Sequence, residues 1–409
     1  MMSDKVRIAL RVLIVVILLF FFTIIGVYIG YNYVLSQEAR FDELSAGIEE
    51  GKYIIKADTP GAVPILLESG DSTSDIAEKL QAEGLIDNTL MFSLLSKING
   101  FDGAYIEGTH YIVAGLTYDE IMYYLTLEPA SVSVTIPEGS SYDEIKEILH
   151  KAGLNFKDEE FDECMNSPDL FVDYDFISQI EINPDRDYIL AGYLFPDTYT
   201  FDVNASPEKI IRKFLNNMRN KLFDEYYARA ERIGMSMDEV ITLASIIQME
   251  SSRARDMMYI SAVFHNRLDS KSEDMQYLSS SATINYLIKK KGGKASIKHS
   301  SGDLDIDSYY NTYKYKGLPP GPVSMPGLDA ISAALYPEPN CNYLYFCATG
   351  DGGTVFAVTL KEHEKNVAKY SGNWDKGEDV EETYNSDTDL GDGDTDDDPG
   401  TNQTTAEGV

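Results

Sequence analysis

The chain has 409 residues, 44% of them apolar and 11% aromatic, with a formal net charge of -33 at pH 7. That length supports two or three domains. The negative balance argues against nucleic-acid binding, which needs clustered Lys and Arg to neutralise phosphates. The one basic patch, 289–291 with Lys294 and Lys298, has Gly292-Gly293 inside it and reads as an exposed loop.

Residues 12–34 carry no charge, and about 23 residues at about 1.5 Å each cross a hydrocarbon layer of about 30 Å. Lys5, Arg7 and Arg11 precede this run, and Glu38, Asp42, Glu43, Glu49 and Glu50 follow it. The positive-inside rule then predicts a single-pass protein of the plasma membrane, with residues 1–11 cytoplasmic and the rest extracytoplasmic. A cleaved signal peptide fits less well, because the apolar core is long and no A-x-A site follows. Tyr28, Tyr31 and Tyr33 suit an aromatic interface belt. Residues 35–61 are polar and weakly periodic, which predicts a stalk.

Residues 62–130 predict a small α+β module. In 65–86 a short extended run leads to a turn at Gly70, a polar cap at 72–74, a helix carrying Ile76, Ala77 and Leu80 inward, and a stop at Gly84. The same order returns at 134–154, with Gly139 at the turn and Ile145 inward, and a shorter echo runs through 114–125. The first unit resembles a LysM-type carbohydrate-binding module, with its G-D-S turn before an I-A-x-x-L helix; a plain packing unit is the alternative. A second helix at 91–97 and an extended segment at 110–113 complete the module before Pro129.

The second predicted unit, 131–372, is a larger mixed α+β domain. Residues 191–201 read as an extended run, a Pro196-Asp197 turn and another extended run. A helix is expected at 208–227. Another at 236–253 has Ser236 and Glu239 as a capping box and Val240, Leu243, Ala244 and Ile247 on one stripe. Glu250 lies at the margin of that stripe, where partial desolvation raises a carboxyl toward the range of a general acid; an ordinary solvated glutamate is the simpler alternative. A helix at 257–268 ends with Asn266 and Arg267. Residues 309–327 hold too many prolines and glycines for helix and too many aromatics for a solvated linker. Such a rigid aromatic loop suits a sugar groove, or a structural loop pinned by proline. A short helix at 329–335, two strands at 343–348 and 355–358 and a helix at 360–370 follow. The acidic stretch 373–409 lacks the apolar surface to fold and is expected to be disordered.

Three cysteines, Cys164, Cys341 and Cys347, form no disulfide framework. A Cys341–Cys347 bridge is one reading and small buried thiols the simpler one. The histidines and cysteines show no metal-ligand spacing, so no metal or other cofactor is expected.

Several separated motifs occur in one order: P-E-G at 137–139, G-x-x-F-P-D-T-Y at 192–199, L-A-S-I-I-x-x-E at 243–250, V-F-x-N-R-L at 263–268, Y-N-T-Y-x-x-x-G-L-P-P-G-P at 310–322, and Y-L-Y-F with a G-x-G-G-x-x-F turn at 343–356. In these the chain resembles the MltG/YceG-like family of membrane-anchored endolytic murein transglycosylases. The resemblance implies an enzyme that cuts the MurNAc-GlcNAc bond of peptidoglycan strands near the membrane, leaves 1,6-anhydro-MurNAc ends and limits the length of new strands. Glu250 would be the general acid and then the base. One carboxylate suffices because the attacking C6 hydroxyl belongs to the substrate. The resemblance further implies substrate binding by Asp197, Tyr199, Asn266, Arg267, Tyr310, Asn311, Tyr313, Pro319, Pro320 and Gly321, and peptidoglycan synthases as partners.

Two departures from the family pattern make Gln248 and Ser281 modulating positions. Gln248 stands where a glutamate is usual, and L-S-S-S-A-T at 278–283 replaces L-Q-x-D-P-T, so that Ser281 takes an aspartate's place. Loss of these carboxylates would relieve like-charge pressure on Glu250 or disturb substrate positioning. Two rival readings follow: a catalytically weak paralogue that acts as a membrane-anchored peptidoglycan-binding scaffold, and a hydrolase using Asp256 or Asp197 as a second carboxylate.

Overall fold

The computed structural model describes residues 4–49, 55–57 and 59–376. The fold is mixed α+β, as the alternation of helical and extended patterns predicts, with three separate two-stranded antiparallel sheets among the described residues. Helix α1 (Asp4–Leu35) contains the stretch Leu10–Leu35, which is long and apolar enough to cross a membrane.

The predicted stalk differs. Its residues 37–49 form α2 (Gln37–Glu49), which lies on the module: Leu44 is buried, the Phe41 ring sits 5.0 Å from Phe101, and Arg40 pairs with Asp119 at 3.0 Å. Sparse apolar residues in a polar run suffice when a neighbouring surface receives each one. Tyr33, expected in the interface belt, donates its hydroxyl to Asp119 at 2.9 Å.

The module follows as β1 (Ala62–Leu67), α3 (Thr73–Ala82), α4 (Thr89–Asn99), β2 (Gly108–Val113) and α5 (Tyr118–Tyr124). Strands β1 and β2 pair in register from Ala62–Val113 to Leu67–Gly108, over a core of Ile65, Leu67, Ile76, Leu80, Phe92, Ile112 and Ile121. The sequence echo is real locally: Ser72 with Asp75 and Ser141 with Glu144 make capping boxes after left-handed turns at Gly70 and Gly139.

The larger unit starts with β3 (Ser131–Thr135), α6 (Tyr142–Lys151) and α7 (Asp158–Met165), and β3 pairs with β4 (Thr198–Asp202). Of the extended runs expected over 191–201, only the second is a strand. Module and larger unit meet where the Asp202 carboxylate accepts the Thr109 amide and, at 2.7 Å, the Thr109 hydroxyl. The single helix expected at 208–227 is two, α8 (Pro207–Lys221) and α9 (Asp224–Ile233), because Leu222 leaves the helical region at φ -87°, ψ 92° to bury its side chain.

Helix α10 (Met237–Glu250) is the centre of the large core. Its first turn carries the predicted capping box, but burial extends well beyond one stripe: Ile241, Thr242, Ser245 and Ile246 are buried as well. The Ser245 hydroxyl makes this tolerable by donating to Thr242 O at 2.7 Å and accepting the Val323 amide at 3.0 Å. The remaining elements are α11 (Ala254–Leu268), α12 (Ser281–Lys290), α13 (Ser301–Leu304), α14 (Leu328–Leu335), β5 (Tyr345–Ala348), β6 (Thr354–Ala357) and α15 (Leu360–Tyr370). Both α11 and α14 pack on α10. A final 3-10 turn, Ser371–Lys376, spans the expected boundary at 372, and Trp374 in it donates to Ala348 O at 2.8 Å. The rest of the acidic tail, 377–409, lies outside the described residues. All three cysteines are free thiols.

Candidate active site

Glu250 is the last residue of α10, not a residue within a longer helix. At Ser251 the chain turns extended, φ -158°, and aims the Glu250 carboxyl at the start of α12. There Oε1 accepts the Ser280 hydroxyl at 2.5 Å and the Ala282 amide at 3.4 Å, at the positive end of that helix. Glu250 is half-buried. Burial pushes its carboxyl above the ordinary glutamate value, against the opposing pull of Ser280, the Ala282 amide and the Arg267 charge. Among the described residues, no carboxylate contributes to that shift, so the site holds one acid that remains protonated to higher pH than usual.

Tyr313 and Ser281 complete the immediate surroundings. The Tyr313 hydroxyl is raised chiefly by burial, with Ser281 pulling it down and Glu250 acting in the same direction as burial. Arg267 reaches the region from α11 with its guanidinium held by protein carbonyls: Nε on Leu344 O at 2.7 Å and Nη1 on Leu278 O at 2.8 Å. It acts on Glu250 as a fixed charge behind the loop that carries Ser280.

Gln248 lies two residues before Glu250, about 200° around the helix, and faces elsewhere. Its Oε1 accepts the Gly327 amide at 2.9 Å and its Nε2 donates to Glu138 at 3.3 Å. The residue thus ties the P-E-G turn to the start of α14 and adds no charge near Glu250. Gly139 closes that turn over the end of α10, with space at its α-carbon limited by the Met249 sulfur. Met249 and Ala282 line a cavity of about 600 Å³ shared by Gly139, Tyr142, Asn285 and Pro322.

None of the other residues expected to touch substrate shares a hydrogen bond with the Glu250 carboxyl among the described residues, and several bond within the protein. Asn311 is fully buried, donates to Leu304 O and Ile306 O at 2.8 Å each, and accepts the Tyr313 amide. Asn266 donates to Cys341 O and Tyr343 O, the Tyr199 hydroxyl to Phe195 O, and Asp197 accepts Asn217 at 2.9 Å. Tyr310 packs against Tyr286 and accepts the Asp187 amide. Pro319 and Pro320 line a separate cavity of about 820 Å³ with Asp238 and Tyr309, while Gly321 lies under the Arg186 side chain. For Asn311 and Asn266 the physical reason is shared: irregular chain leaves carbonyls without partners, and these amides supply them. Ser280 escaped the sequence reading, although a serine ahead of the apolar positions Ala282, Ile284 and Leu287 is a helix-cap signal.

The family model described as the YceG-like family matches residues 65–369. The endolytic murein transglycosylase of Bacillus subtilis (strain 168) is 32% identical over 329 residues, which is 77% of this chain and 87% of that protein. The endolytic murein transglycosylase of Streptococcus pneumoniae serotype 2 (strain D39 / NCTC 7466) is 29% identical over 365 residues, 84% of this chain but 62% of that longer protein. The crystal structure of a YceG-like protein from Listeria monocytogenes aligns with a TM-score of 0.50 at 30% identity, covering 75% of this chain and 99% of that one.

Proposed function

The chain belongs to the YceG-like family, and on that premise we propose that it is an endolytic lytic transglycosylase of peptidoglycan, with Glu250 as acid and base. The observation that carries the reading is the single carboxyl raised by burial at the end of α10, with no second carboxylate acting on it. Protonated Glu250 gives its proton to the glycosidic oxygen as the bond from MurNAc C1 breaks. The C6 hydroxyl of the same MurNAc bonds C1, and its proton passes to Glu250. No water is consumed, the carboxyl is restored, and a 1,6-anhydro end remains. Tyr313, whose hydroxyl feels the Glu250 charge, is the aromatic residue of the long loop that meets substrate in this reading.

Residues 12–34 anchor the chain in the plasma membrane with its N-terminus cytoplasmic. The LysM-like unit, β1 to α5, holds glycan strands, and cleavage close to the bilayer limits strand length where peptidoglycan synthases work. The test is digestion of purified peptidoglycan by the detergent-solubilised full chain, with product ends identified by mass spectrometry. Anhydro ends that vanish with Glu250→Gln support the proposal. Reducing ends would mean that water is the nucleophile, and binding without products would favour the scaffold reading.

A further inference from the structure

The two oxygens of the Glu250 carboxyl have different surroundings. Oε1 takes both the Ser280 hydroxyl and the Ala282 amide, whereas no hydrogen bond from the described residues reaches Oε2. The placement of Ser280 is enforced. Ser279 before it adopts the left-handed region at φ +48°, unusual for a residue with a side chain, and such strain persists only where neighbouring bonds over-determine it. Thr312 supplies those bonds: its carbonyl accepts the Ser279 amide at 3.0 Å, its hydroxyl accepts the Ser280 amide at 3.0 Å, and the same hydroxyl lies 2.9 Å from that of Thr283. With Ser280 1% exposed, its hydroxyl is directed at the carboxyl.

We propose that Ser280 is a positioning residue whose hydroxyl, with the Ala282 amide, keeps Oε1 as a fixed acceptor, so that Oε2 is the oxygen that delivers the proton and takes it back. The assignment rests on Glu250 being the acid and base of the reaction. It explains how a flexible side chain at a helix end is held in one orientation through two opposite proton transfers. The remaining charged or titratable groups that face Glu250 are Arg267 from α11 and Tyr313 from the long loop, and neither donates to Oε1. A donor to the carboxylate favours its ionised form, so losing the Ser280 hydroxyl raises the pH at which Glu250 gives up its proton.

The experiment compares the full chain with Ser280→Ala, Ser280→Thr and Ala282→Pro. Proline is accommodated in a first helical turn, so Ala282→Pro keeps α12 while removing the amide that donates both to Oε1 at 3.4 Å and, as the helix cap, to the Ser280 hydroxyl at 3.2 Å. Two readouts are taken: the pH profile of peptidoglycan cleavage, and the titration of the Glu250 carboxyl by 13C NMR, assigned by difference from Glu250→Gln. Ser280→Ala is expected to move the alkaline limb and the titration upward by about one pH unit. Ser280→Thr restores both, and Ala282→Pro moves both in the same direction by less. An unshifted titration in folded Ser280→Ala overturns the proposal, as does Ser280→Thr behaving like Ser280→Ala. If the titration shifts while even the unmodified chain cleaves nothing, the clamp stands and the proposed reaction fails.

Discussion

Replacing Gln248 by glutamate isolates what the amide does. The introduced carboxyl can still accept the Gly327 amide, but its second oxygen would face Glu138 across 3.3 Å. Glu138 cannot simply be displaced toward α14, since its carboxylate already fills the space where a side chain at Gly327 would begin, with a Cβ there only 2.0 Å from Oε1. Two unit charges at that separation repel by about 1 kcal/mol in water-like surroundings and about 5 kcal/mol at an effective dielectric constant of about 20. Glu138 is exposed, so screening keeps the penalty near the lower figure. The introduced carboxyl has its folded-state pKa raised by Glu138. Its contribution is therefore fully present below the unfolded value of about 4.3 and is lost as pH rises through the folded value. Below that window its proton bridges to Glu138 as the amide did. Thermal melting of Gln248→Glu should match that of the unmodified chain near pH 4 and fall by about 2–4 °C near pH 8, less at high salt. A deficit equal at both pH values, or larger in acid, would refute the pairing of Gln248 with Glu138.

Three further outcomes test other parts of the structure. Glu250→Gln retains a carbonyl oxygen for Ser280 while removing a group whose ionisation burial opposes. The raised carboxyl loses stabilising power as pH rises, so the variant should gain in melting temperature relative to the unmodified chain between about pH 4 and pH 8 while cleavage drops by at least about 100-fold. Asp238→Ala strands the Arg186 guanidinium, which is 0% exposed and pairs with Asp238 at 2.6 Å, and also removes the acceptor of the Tyr193 hydroxyl. Denaturant titration should report a loss of about 3–5 kcal/mol, and a loss under 1 kcal/mol would contradict the buried pair. Asp202→Ala removes both acceptors of Thr109 at the junction of the two units, so hydrogen exchange at the Thr109 amide should accelerate while that of α10 stays as it is.

The helix that ends at Glu250 was legible because its determinants are local. A capping box and apolar spacing need only neighbours within a turn or two, and the same holds for the echoing turns at Gly70 and Gly139. The resemblance carried by the separated motifs also placed the chain in its family before any coordinates. Burial of α10 on all sides was not legible, since periodicity marks the face that needs cover but not whether Val323 and Ser324 will arrive to satisfy Ser245 on another. Nor was the role of the polar residues near the long loop. Asn311 and Asn266 have the chemistry of sugar ligands, and only the fold shows that their amides donate to main-chain carbonyls. Gln248 raised a question of charge beside Glu250, and the helix answered it by turning the amide toward Glu138. What the tertiary structure alone decided is the setting of the carboxyl itself. Ser280 stands 30 residues beyond Glu250, and its hydroxyl reaches Oε1 only because Thr312 holds Ser279 in a conformation that no local pattern favours.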